Sequence, residues 1–138
     1  MKILLSIKPQ FAEKILDGEK RFEFRKVTFD TESIKSVVIY ATKPVGKVVG
    51  EFEVNGIYKD KPAKIWAKTK KFAGIDKVFF DEYYEGREVA VAIGVGTVQR
   101  YETPLELSAF GADITPPQSF RYLTELNASD RQAELQFA

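Results

Sequence analysis

Residues 88–99 place the tightest limit on how this chain can fold. Val89, Val91, Ile93 and Val95 alternate with Ala90, Ala92, Gly94 and Gly96, so one face of a strand is branched and the other nearly bare. A bare face requires another element, or a ligand, to come close to the backbone, and a packed helix is the expected occupant. A strand this long also needs partners, and the chain supplies them. Residues 3–7 and 36–41 are short and almost wholly apolar, as buried strands are. Residues 20–25 and 46–58 alternate with period two, and residues 118–123 can add a last strand.

Helices fall between these runs. Pro9 suits a helix start, Phe11, Ala12, Ile15 and Leu16 form one stripe, and Gly18 is a natural stop. Asp60 is expected to cap a helix running to about Lys71, and Asp76 another running to Tyr84, ended by Gly86. After Arg100 the chain reads as irregular, punctuated by Pro104, Gly111, Pro116 and Pro117. The order β-α-β-β-β-α-α-β-β has too many adjacent strands for a βαβ fold. It predicts an α+β domain whose small sheet closes on itself, since closure removes exposed edges. One domain over 1–126, with a tail at 127–138, fits the 138 residues.

Composition narrows the chemistry. The chain has no Cys and no His, which excludes thiolate catalysis, a Ser-His dyad and the usual zinc sites. Neither a metal nor a cofactor is expected. General acids and bases are left to carboxylates, Lys and Tyr. No apolar run reaches the ~18 residues of a membrane span, the first residues read as a strand rather than a signal peptide, and a cytoplasmic location is the default. Net charge is only +1, but it is unevenly spread: residues 59–71 hold six Lys and one Asp, and residues 102–138 hold two Arg and six acids.

Two segments can carry function. From Lys8 to Lys26 six basic residues interleave with Glu13, Asp17, Glu19 and Glu23. On residues 20–25, Lys20, Phe22 and Phe24 take one face and Arg21, Glu23 and Arg25 the outward one. This pattern suits either a solvated strand face with weak ion pairs or a cleft where Lys20 and Arg25 hold an anion while Glu23 accepts from a base edge. Lys61, Lys64, Lys68 and Lys71 recur at helical spacing, flanked by Lys59 and Lys70. They form either a soluble face or a phosphate-tracking surface. The aromatics Phe72, Phe79, Phe80, Tyr83 and Tyr84 read as core, with Trp66 packed on the sheet.

A helix ending in Gly18, followed by Lys20, Glu23 and Arg25, resembles the signature of the ASCH domain family. The opening Leu4-Leu5-Ser6-Ile7-Lys8-Pro9 and the late Pro116-Pro117-Gln118-Ser119-Phe120-Arg121-Tyr122 are similar to its prokaryotic members. The resemblance implies a small, mostly antiparallel PUA-like β-barrel with flanking helices and a cleft that binds RNA, a nucleotide or a modified nucleoside. It places Ser6, Lys8, Lys20, Glu23, Arg25, Ser119 and Arg121 in that cleft, with Tyr40 or Tyr122 as a stacking plane. Some members resemble amidohydrolases of acetylated cytidine that use a Lys, a Thr and a Glu. Lys20 matches the first, Glu23 stands at the second, and the third falls near Ala73. Other members are linked to RNA cleavage. The expectations are therefore an RNA- or nucleotide-binding module, a hydrolase of an amide-bearing nucleoside or of RNA using Lys20 and Glu23, or a lysine face docked on an acidic protein.

Overall fold

The computed structural model describes residues 1–27, 29, 33–111, 116 and 120–123, with backbone alone at 120 and 121. Six strands form one sheet: β1 (Lys2–Ile7), β2 (Phe22–Arg25), β3 (Ser36–Ala41), β4 (Lys47–Asp60), β5 (Ala90–Leu105) and β6 (Phe120–Leu123). Three helices, α1 (Pro9–Leu16), α2 (Pro62–Thr69) and α3 (Lys77–Tyr83), lie among them, so the α+β class holds. The strand order is β2-β5-β4-β3-β1-β6. β1 runs parallel to β3, while β1–β6, β2–β5, β3–β4 and β4–β5 are antiparallel.

Two features of the expected barrel are corrected. The sheet is mixed rather than mostly antiparallel, because the chain leaves β1 through α1 and β2 and returns as β3 in the same direction. It is also open, with β2 and β6 as its two edges. Edge β2 is protected by other means: the Tyr83 hydroxyl of α3 donates to the Phe24 carbonyl, and the next residue, Tyr84, places its hydroxyl on the Arg25 and Val91 carbonyls where β2 meets β5. A covered edge does not need closure.

The bare face of β5 is occupied as its composition demands. Ala90 and Ala92 pack with Ile65 of α2 and Phe80 and Tyr84 of α3. Farther along, β4 itself closes in: a Cβ on Gly94 would meet the Asn55 side chain at 2.1 Å, and one on Gly96 the Glu53 carbonyl at 3.0 Å. Ile3, Leu5, Val37, Ile39 and Ile93 form the main core with α1. Leu4, Val38, Tyr40, Val48, Phe110 and Leu123 form a second cluster. β1 and β3 are thus buried on both faces.

Three boundaries differ from expectation. β5 continues to Leu105, past Pro104, because its pairing with β4 shifts register between Val48 and Gly50 and asks little of the missing N–H there. α2 begins at Pro62 with Lys61 as its cap, and a separate 3-10 turn covers Lys70–Phe72. β2 begins at Phe22, so Lys20 and Arg21 precede the strand. Asp76 caps α3 as expected, accepting from the Phe79 amide at 2.8 Å. The expected tail lies outside the described residues.

Candidate nucleic-acid cleft

Gly18 ends α1 in the left-handed region, φ 87°, and turns the chain so that Lys20 runs back under the helix. Residues 72–74 then cross the segment like a strap, and three successive carbonyls accept from it. Arg21 N–H donates to Phe72 at 2.8 Å, Lys20 Nζ to Ala73 at 2.6 Å and Lys14 Nζ to Gly74 at 3.2 Å. Gly74, at φ 68°, makes this close approach feasible, since a Cβ there would lie 2.5 Å from Lys20 Cγ.

Lys20 is 1% exposed and Glu23 7%. Glu23 and Arg25 were expected to face outward; instead they meet under the roof of α1 and α3, with Arg25 Nη2 at 3.1 Å from Glu23 Oε2. The same nitrogen donates to the Ser6 carbonyl at 2.8 Å. Among the described residues, Arg25 Nε is buried with no hydrogen-bond acceptor. Lys20 Nζ lies over the rings of Phe24 and Phe11, at 4.7 and 5.6 Å. Burial holds the Lys20 ammonium well below the ordinary lysine value, at about 8; Glu23 opposes that shift, and Lys14 and Arg25 add to it.

These groups border a cleft of about 180 Å³. Ser6 and Lys8 reach it from the end of β1, Lys20, Glu23 and Arg25 from the turn and β2, and Phe79 and Tyr83 from α3. Phe11 and Phe79 meet edge to face at 5.3 Å across its wall, and Lys8 stands 5.8 Å from the Phe79 ring. Burial pushes the Tyr83 hydroxyl above the ordinary tyrosine value. Drug-sized ligands occupy roughly 300–1,000 Å³, so this space takes one ring or one phosphate rather than a whole nucleotide. It offers a cation pair, a carboxylate acceptor and aromatic walls.

Five of the residues expected from sequence therefore meet: Ser6, Lys8, Lys20, Glu23 and Arg25. Tyr40 does not join them; it is 4% exposed in the second apolar cluster, with its hydroxyl near Gly46. Ser119 and the Arg121 side chain lie outside the described residues, and Tyr122 is exposed on β6. Lys61, Lys64, Lys68 and Lys71 are all exposed, on and beside α2. Phe79 and Tyr83 were read as core, yet both line the cleft. The spacing of four puts these two on one side of the helix, but Phe80 and Tyr84 share that spacing, so the pattern did not tell the cleft pair from the core pair.

The sequence profile of the ASCH domain matches residues 5–99. Large ribosomal subunit protein uL22 of Ureaplasma parvum is 34% identical over 122 residues, which are 88% of this chain and 39% of that protein. The chain thus spans well under half of that relative. The ASCH domain-containing ribonuclease of Zymomonas mobilis is 29% identical over 126 residues, covering 87% of this chain and 82% of its own length. In three dimensions the crystal structure of ASCH from Zymomonas mobilis superposes with a TM-score of 0.88 at 28% identity, over 97% of this chain and 94% of that one.

Proposed function

The chain belongs to the ASCH domain family, and on that premise we propose that it binds RNA or a nucleotide in the cleft built by Lys20, Glu23 and Arg25. The observation that carries this reading is the Glu23–Arg25 pair set beside a buried ammonium in a cleft sized for one base or phosphate. The buried Nε–H of Arg25 is a donor suited to a phosphate or carbonyl oxygen. Lys20 adds charge from the floor, Glu23 accepts from a base edge, and Phe79 and Tyr83 give apolar walls against which a ring can lie. The exposed lysines of α2 extend the cationic surface to phosphates outside the cleft.

Arg25→Ala tests this directly, by fluorescence anisotropy with labelled single-stranded RNA. Binding is expected to weaken by ten-fold or more, in line with about 1.5–3 kcal/mol for hydrogen bonds to charged groups. The denaturation midpoint of the same sample establishes that it is folded. Unchanged affinity in a folded variant would sink the reading.

A second reading is favoured by the state of Lys20 and by the ribonuclease relative. An amine with a value near 8 is close to the working range of a proton carrier. In RNA cleavage a ribose 2′-oxygen forms a bond to phosphorus, its proton passes to Glu23, and the P–O5′ bond breaks. The departing 5′-oxygen takes a proton from Lys20. The products are a 2′,3′-cyclic phosphate and a 5′-hydroxyl. The RNA recovered from the binding experiment decides it: cleavage no faster than with Lys20→Ala removes the enzymatic reading and leaves binding intact.

A further inference from the structure

Lys20 is the one residue common to the linings of two cavities. The second, of about 470 Å³, opens on the other side of the strap formed by residues 72–74. Its chemistry is different. Among the described residues no Asp or Glu lines it, whereas Glu23 lines the first. Three aromatic rings border it, Phe22, Tyr58 and Phe72, and the last two each carry a cation. The Arg21 guanidinium lies 4.6 Å from the Phe72 ring centre, and Lys68 Nζ lies 4.3 Å from that of Tyr58. Phe72 is 42% exposed, high for a phenylalanine that the fold could have buried.

The floor is built by β4 and β5. Their register shifts between Val54 and Gly56. That shift swings Asn55 over Gly94, and its amide nitrogen donates to the Val95 carbonyl at 3.3 Å. The small residues of β5 keep this floor low. Lys64, one turn before Lys68, and Lys71, next to Phe72, are exposed.

The geometry points to a second, separate contact site for single-stranded RNA, with Phe72 and Tyr58 as stacking planes for bases and Arg21 and Lys68 as phosphate partners. This inference rests on the RNA-binding reading and deepens it. The first cleft takes one base or phosphate, and the groove beyond the strap takes the nucleotides next to it, so the ligand is a polymer and not a free nucleoside. An acidic protein would satisfy the cations equally, but it has no use for an exposed Phe72 and a half-buried Tyr58 beside a cavity that no described acid lines.

Phe72→Ala/Arg21→Ala is the discriminating variant, because the strap's hydrogen bond between these residues is made by backbone atoms and survives both changes. Binding is measured with a labelled dinucleotide and with a labelled oligouridylate of about ten nucleotides. The variant is expected to bind the oligomer about ten-fold more weakly, with a shallower salt dependence, and the dinucleotide as wild type does. Wild-type affinity for the oligomer, when Arg25→Ala has lost it, overturns the groove and spares the cleft. The reverse, with Arg25→Ala unaffected and the groove variant weakened, upholds the groove and removes the cleft. A wild-type chain that binds neither length overturns both. Competition by polyglutamate as effective as by unlabelled RNA overturns the assignment to RNA in favour of an acidic protein.

Discussion

Lys20 concentrates the cost and the use of this site. An ammonium 1% exposed has lost its hydration, and one carbonyl, two aromatic faces and one carboxylate replace it incompletely; its value of about 8 expresses that deficit. The sign of the pH effect follows. Between about 8 and the ordinary 10.5, the unfolded chain holds the Lys20 proton and the folded chain does not, so folding stability gains from this group as pH rises through that window, and the gain is lost as pH falls through 8. Urea denaturation of wild type and Lys20→Met at pH 7.5 and 9.5 checks it. Wild type should gain about 2 kcal/mol relative to the variant, at about 1.4 kcal/mol per pH unit. The variant also cancels the contribution of the buried tyrosines. Parallel curves for the two proteins would contradict a buried, shifted amine. At this scale the sequence was legible where spacing and turn chemistry determine direction: Gly18 with Lys20, Glu23 and Arg25 could be picked out. Which way Glu23 and Arg25 point could not, because α3, distant in sequence, completes the roof over the strand. Tyr40 was misplaced for the opposite reason: β3 is buried on both faces, so alternation along it does not tell a site from a core.

Among the elements, the strap of residues 72–74 does more than its length suggests. It presents three carbonyls in succession to two ammonium groups and a backbone amide, and it separates the two cavities. No side chain of the strap carries these bonds, so no acidic residue in the sequence announced a partner for Lys20. Gly74 is its weak point. Gly74→Ala must either leave φ 68° or push a methyl into the Lys20 stem, and strain of this kind costs about 1–3 kcal/mol. A lower urea midpoint together with weaker RNA binding is the expected result; a midpoint equal to wild type would mean that the strap does not hold Lys20. The small-residue face of β5 was legible as a place of close approach. The expected helices do fill it at Ala90 and Ala92; that a bulged β4 would close in at Gly94 and Gly96 depended on a register shift that no local pattern records.

For the whole molecule, the order of elements was readable from periodicity, whereas their closure was not. Whether a sheet closes depends on pairings between strands far apart in sequence and on what covers its edges. Here the Tyr83 hydroxyl of α3 lies on one edge, and a crossover puts a parallel pair inside the sheet. The layering predicts an order of opening. Amides of β3, flanked by β1 and β4 and buried on both faces, should exchange hydrogen only through global unfolding. Those of β2, a four-residue edge strand, should exchange at least ten-fold faster. Equal protection in β2 and β3 would show that the strap and α3 bind the edge as firmly as a strand would.

In the register of β1 with β6, Lys2 stands opposite Leu123, so the first and last paired positions of the sheet are neighbours. β6 is held to the sheet through β1, so whatever loosens the first strand also takes the partner from the last one.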